Sequence, residues 1–234
     1  MKMKNKKAEQ NADRKKHKEA LKLGRRSEPL LERNVPTRIE RKTFLIVCEG
    51  ENTEPSYFKQ FRLSTATIKP VGEGYNTVSL VNRAIQLSLE KVYDQVWCVF
   101  DKDDFSDFDF NDAIHIAETQ NFGVAYSNQA FEYWILLHFD DHQGGGMHRN
   151  DYNEKLNYHL KPFGLVYEGE SSKIITEEIF RLLEGVDEKL HIERYNLAIS
   201  RAKRNNSNLS HISPAKEESS TTVFELVEEL LKYV

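Results

Sequence analysis

The chain has only two cysteines in 234 residues, Cys48 and Cys98, and both fall inside apolar runs, FLIVC and VWCVF. That scarcity excludes a disulfide-stapled scaffold and makes a cysteine-ligated zinc site unexpected; buried, reduced thiols are expected instead. No stretch approaches the roughly 18 uninterrupted apolar residues of a membrane span. The opening MKMKNKKAEQNADRKK lacks the apolar core of a signal peptide, so a cytoplasmic protein without a membrane partner is expected. His115, His148, His159, His191 and His211 show no metal-ligand spacing. With no Gly-x-Ser-x-Gly elbow, a Ser/His/Asp hydrolase cannot be assembled either. Residues 1–42 contain no Phe, Trp or Tyr and few large apolar residues, too little to form much core alone.

What the chain does have is divided charge. Residues 1–42 carry 15 Lys/Arg against 6 Asp/Glu, a net of +9, and leave -13 for residues 43–234. A basic arm precedes an acidic body. Such an arm suits nucleic-acid contact, because each Lys or Arg that meets a phosphate releases a condensed counterion; a solvated leader with fair helical propensity at 13–23 is the plainer alternative. An acidic body repels polyanions unless cations or a local basic patch compensate.

Order is expected from residue 43. The run 43–48 is apolar and rich in branched residues, which predicts a strand buried on both faces. It ends in Glu49-Gly50, and Thr53-Glu54-Pro55-Ser56 then offers an N-cap with proline in the first turn of a helix. A second strand near 65–71, a helix from 77 to 92, a third strand at 95–100, a helix near 112–120 and a fourth strand at 123–127 follow. This alternation predicts an α/β fold with a mostly parallel four-stranded sheet and flanking helices. Beyond it the pattern is helical, at 131–139, 152–160, 174–183, 190–204 and 222–234, the last begun by a Ser-Ser-Thr-Thr cap. The organisation read from this is a basic, partly disordered or helical arm at 1–42, an α/β core at 43–140 and a helical C-terminal lobe at 141–234 packed on it.

In an open parallel sheet, side chains after the carboxyl ends of strands line the ligand crevice. Glu49 and Asp101 hold such positions on two strands. Neighbouring strands lie about 4.8 Å apart, so carboxylates at their ends can share one hard cation. Residues two apart in an extended chain point to the same side, which aims Asp101 and Asp103 together and Lys102 and Asp104 apart; Asp104, in the same DKDD run, remains a further candidate ligand. Close carboxylates are costly to keep ionised without a neutralising cation, and oxygen-only ligation favours Mg²⁺ or Mn²⁺ over zinc. A solvated acidic turn is the bland reading of the same residues.

The order apolar strand, Glu-Gly, helix, strand, helix, apolar strand, Asp-x-Asp resembles the Toprim domain of topoisomerases, primases and several nucleases. CEGENTEPSYF at 48–58, FDKDDF at 100–105, SNQAFEYWILLHF at 127–139 and STTVFELVEEL at 220–230 resemble the RloB family more narrowly. That resemblance spans about residues 43–234 and departs at Gln129, where the family pattern has Pro, and just before Ser220, where it has Asn-Pro.

The resemblance implies a Toprim-like (Rossmann-like) fold with Mg²⁺ on Glu49, Asp101 and Asp103. It also implies a role in bacterial defence against phage beside an ABC-type or OLD-like ATPase partner. By similarity Glu132, in Phe-Glu-x-Trp, is a further site candidate; read alone, it is a ligand, a partner of one, or a carboxylate matched to a helix start. His138 is expected to be a satisfied partner rather than a ligand.

A metal-dependent nuclease acting on RNA, possibly tRNA, or on DNA is therefore expected. Glu49, Asp101 and Asp103 carry the chemistry, a water attacks the phosphodiester, and Lys102, Arg201, Lys203 and Arg204 hold the backbone. The competing expectation is a non-catalytic Toprim-like subunit that regulates an ATPase or only binds nucleic acid.

Overall fold

The structure, a computed structural model, describes residues 12–20, 22, 42–70, 77–103 and 106–234. The chain parts into two compact units, residues 1–40 and 41–234. In the first, residues 12–20 and 22 are helical, and their exposure follows from charge at nearly every second position and the lack of large apolar residues.

The second unit begins with β1 (Phe44–Cys48). All five of its residues are fully buried, the burial expected of a central strand covered on both faces. β1 lies between β2 (Ala66–Pro70) and β3 (Gln95–Lys102), and β4 (Gly123–Asn128) flanks β3, so the all-parallel sheet runs β2-β1-β3-β4. Three helices follow the first three strands: α1 (Thr53–Lys59), α2 (Thr77–Glu90) and α3 (Asp107–Thr119). α3 starts five residues earlier than the apolar spacing predicts, because the Ser106 hydroxyl caps it by accepting the Asp109 N–H at 3.1 Å.

Alternation along the strands builds two cores. Leu45, Val47, Cys98, Phe100 and Tyr126 face α2 and α3. Phe44, Ile46, Cys48, Val99 and Ala125 face the opposite way, into a larger cluster. That cluster includes α4 (Glu132–Leu136), α5 (Asn150–Leu160), α6 (Glu177–Glu184), α7 (Arg194–Ser207) and α8 (Val223–Leu231). The expected C-terminal helices thus share one apolar core with β1, β3 and β4. Cys48 and Cys98 are free and buried on opposite faces, and burial raises both thiols, Cys98 to about 12.

Two expectations change in detail. α7 begins at Arg194 rather than 190, because the Asp187 carboxylate accepts the N–H groups of Lys189 and Leu190, both at 3.0 Å, and holds that stretch in a turn. The Ser-Ser-Thr-Thr run does more than start a helix. Asn128 N–H donates to Ser220 O at 2.8 Å, Tyr126 N–H to Thr222 Oγ1 at 2.9 Å and Thr222 N–H to Tyr126 O at 2.8 Å. Ser127 bridges Thr221 in antiparallel fashion. This segment closes the free edge of β4, which otherwise exposes a row of unpaired backbone groups.

Candidate functional site

The carboxyl end of the sheet gathers acidic side chains from four elements. Glu49 follows β1, and its N–H donates to Val99 O at 2.9 Å, extending the β1–β3 ladder by one residue. Asp101 is still within β3, opposite Ser127 of β4. The Asp101 N–H donates to Glu49 Oε2 at 3.2 Å, so the two strand ends meet through the residues the sequence singles out. The second Asp101 oxygen pattern ties the cluster to α4, because Oδ2 accepts the Phe131 N–H at 3.0 Å.

Glu54, in the first turn of α1, and Glu132, in the first turn of α4, complete the group. Glu54 is buried. Its carboxylate lies against Gly50, where a Cβ would stand 2.2 Å from Glu54 Oε2, so any side chain at that position would displace the carboxylate. Glu132 Oε1 accepts the Tyr167 O–H at 2.6 Å, and the same phenol oxygen lies 3.1 Å from Thr53 Oγ1. Thr53 therefore serves Tyr167 instead of capping α1.

These carboxylates perturb one another. Burial, then the charges of Asp103 and Glu54, push Glu49 up to about 7, against the opposing Asp101 N–H and the Arg149 charge. Burial and the Glu132 charge raise Glu54. Asp101 is raised well above the carboxylate range by burial and then by Glu54, Glu132 and Glu49. Asp101 Oδ1 is buried with no hydrogen-bond partner. A buried carboxylate oxygen without a donor, amid like charges, has the chemistry a hard cation satisfies. The donor set, all oxygen, fits Mg²⁺ or Mn²⁺. Among the described residues no three His, Cys, Asp or Glu side chains are already set at metal-holding positions, so an ion held by Glu49, Asp101 and Asp103 together requires these side chains to rearrange, whereas one or two carboxylates with waters suffice for Mg²⁺.

The remaining sequence candidates separate. Asp103 lies beyond the end of β3, with Oδ2 4.0 Å from Arg149 Nη1. Asp104 lies outside the described residues. Lys102, expected to hold the nucleic-acid backbone, is mostly buried; its Nζ donates to Asp103 O at 2.8 Å and pairs with Asp107 at 3.4 Å, tying down the loop after β3. Arg201, expected to hold nucleic acid, is buried and donates to Leu137 O at 2.8 Å. Lys203 pairs with Glu228 at 2.6 Å, and Arg204 with Asp141 at 2.7 Å and the His142 carbonyl at 3.1 Å. None of these three bonds Glu49, Asp101, Asp103 or Glu132; they fasten α7 to the segment after α4 and to α8. His138 is buried, its Nδ1 3.1 Å from Trp134 O, and burial lowers it to about 3, so it is neutral. Gln129 takes φ 75°, a conformation closed to the proline that the family pattern has there.

The sequence reading missed Arg149, Tyr167 and Lys173. Arg149 stands just after the loop with three glycines, and Tyr167 and Lys173 lie in the stretch between α5 and α6. Nothing periodic marks them; the spacing of 18 residues between Arg149 and Tyr167 closes only through α5.

Compared with protein-family models, residues 44–230 match the family described as RloB-like protein. No curated protein and no solved structure matches the chain.

Proposed function

The chain belongs to the RloB-like protein family, and from that premise we propose that it is a metal-dependent nuclease of the Toprim class. The single observation that carries this reading is the meeting of Glu49 and Asp101 at the carboxyl ends of adjacent parallel strands, with Asp101 Oδ1 buried and without a partner. Glu49, Asp101 and Asp103 would hold Mg²⁺ or Mn²⁺, with Glu132 as a further candidate ligand. Bound there, such an ion would supply Lewis-acid polarisation of a phosphodiester and stabilisation of charge on the attacking and leaving oxygens. Glu49 serves either as a ligand or as the general base toward the attacking water. Tyr167 orients Glu132 by its 2.6 Å bond, and Lys102 fixes the loop that carries Asp103. The substrate is RNA, tRNA included, or DNA, and the setting is bacterial defence against phage (abortive infection) with an ABC-type or OLD-like ATPase partner. Among the described residues no helix is long and apolar enough to cross a membrane.

The test is incubation of the purified chain with tRNA, other RNA and plasmid in Mg²⁺ or Mn²⁺. Wild type cuts at least one of them, and Glu49→Ala and Asp101→Ala lose about a hundredfold or more in rate, as loss of a group that stabilises transition-state charge does. Equal cutting by both variants overturns the assignment.

The competing reading is a non-catalytic Toprim-like subunit that regulates an ATPase or only binds nucleic acid. Co-purification with an ATPase, with no metal-dependent cleavage by either or by the pair, supports that reading over the nuclease.

A further inference from the structure

Beside the carboxylates lies a cavity of about 180 Å³, lined among others by Glu132, Arg149, Asn150, Asn153, Tyr167 and Lys173. Glu132 and its partner Tyr167 form the wall shared with the acidic group. We propose that this cavity is the subsite for a backbone phosphate of the nucleic acid, held by Arg149 and Lys173; the proposal rests on the nuclease reading and deepens it by naming the groups that hold the substrate.

The first argument is charge. A polyanion brought to a group of carboxylates on an acidic body needs cations at the point of contact. Arg149 and Lys173 supply them, offsetting the carboxylates of Glu132 and Glu170 in the same lining: Arg149 stands 4.0 Å from Asp103 and counters the charge on Glu49, while Lys173 counters that on Glu54. A guanidinium offers paired donors matched to phosphate oxygens, and an ammonium offers a point charge.

The second argument is construction. The segment carrying Lys173 is anchored at several points. Tyr167 N–H donates to Asn157 Oδ1 at 2.7 Å, Asn157 Nδ2 donates back to Tyr167 O at 2.9 Å, and Lys173 N–H donates to Glu168 O at 3.0 Å. Gly169 sits where a Cβ would lie 2.9 Å from Asn153 Oδ1, and Lys173 itself takes a left-handed φ of 51°. A non-glycine residue held in that region is a cost the surroundings must offset, and such positions concentrate where a ligand is gripped. Asn150 and Asn153 on α5 add amide donors to the same lining.

The third argument is size. The cavity is smaller than the roughly 300–1,000 Å³ of pockets that take a drug-sized molecule. It is of a size to take a phosphate with its adjoining sugar. Recognition there is of the chain's backbone, indifferent to sequence.

The test is fluorescence anisotropy of labelled single-stranded RNA and DNA 12-mers with the full chain, in EDTA and in Ca²⁺, over a range of salt, beside cleavage kinetics in Mg²⁺. Arg149→Ala and Lys173→Ala are each expected to weaken binding on the order of tenfold and to lower the salt slope by about one, with KM raised more than kcat is lowered. Arg149→Lys recovers part of the loss. Thermal unfolding identifies any variant that fails to fold, and the exposed Lys173 keeps the test open should Arg149→Ala fail. If both variants bind and cut with wild-type affinity, salt slope and KM, the subsite is refuted while the nuclease reading stands. If wild type binds and the variants lose binding but nothing is ever cut, the subsite stands and the nuclease reading falls. Absence of any binding by wild type overturns the subsite.

Discussion

Gly50 shows how a single side chain's absence shapes the site. The Glu54 carboxylate occupies the space a Cβ would fill, 2.2 Å from Oε2. Gly50→Ala therefore pushes the buried Glu54 carboxylate aside. Overpacking of this kind costs about 1–3 kcal/mol, so the variant is expected to melt at a lower temperature, with metal affinity reduced as well; unchanged melting and unchanged Mg²⁺ affinity by titration calorimetry would falsify the close-approach argument. Glu-Gly was legible as a strand end followed by a turn, but the reason for its glycine was not, because Glu54 reaches it only after α1 has folded. Asp101 and Glu49 were legible for the converse reason. Each directly follows, or ends, a continuous apolar run, and strand ends in a parallel sheet fall on one side by topology alone. Arg149, Tyr167 and Lys173 follow no such rule, since their nearness to Glu132 depends on how α5 and the segment after it pack.

Among the elements, the sheet was read nearly in full and its closing edge was not. β1 and residues 96–100 of β3 are apolar because both faces of the sheet are covered, and their shortness and branched residues mark them as strands. The Ser-Ser-Thr-Thr run reads locally as a cap, and hydroxyls before an apolar helix carry no mark of a distant strand. In the fold Thr222 Oγ1 accepts the Tyr126 N–H at 2.9 Å and donates to Val124 O at 3.1 Å, while Thr221 Oγ1 bonds Ser127 and Tyr126 O. Thr222→Val keeps the shape and removes the acceptor, leaving a buried N–H unsatisfied. The cost is expected to be about 1–3 kcal/mol, read as a lower denaturant midpoint at unchanged m-value, and the Tyr126 amide should exchange faster with deuterium. Thr222→Ser retains the hydroxyl and should recover most of the loss. A Thr222→Val midpoint equal to wild type would mean that the edge is closed by backbone bonds alone.

For the whole molecule, the acidic group links stability to pH and to divalent metal. Without a cation, Glu49 is held at about 7 in the folded chain against an ordinary 4.5, and Glu54 and Asp101 are raised in the same sense. The native state then binds more protons than the unfolded state between these values. For Glu49 and Glu54 this stability is full below about pH 4.5 and is lost as pH rises through 7. For Glu49 alone the loss is on the order of 1–3 kcal/mol. In EDTA the melting temperature is thus expected to fall between pH 5.5 and pH 8, other ionisations held equal by comparison with Glu49→Gln, whose slope should be shallower. A divalent cation on the ionised carboxylates reverses the trend. At a hundredfold excess over its Kd, the ion adds about 2.7 kcal/mol, or roughly 5–10 °C for a unit of this size. The gain should be larger at pH 8 than at pH 5.5, because protons compete with the metal for the same oxygens. Differential scanning calorimetry of wild type, Glu49→Gln and Asp101→Asn in EDTA and in Mg²⁺ or Mn²⁺ measures all of this. A metal-induced rise that survives in both variants would place the ion elsewhere on the acidic body. A rise absent from wild type at every pH would leave the buried Asp101 oxygen without the cation that its surroundings call for.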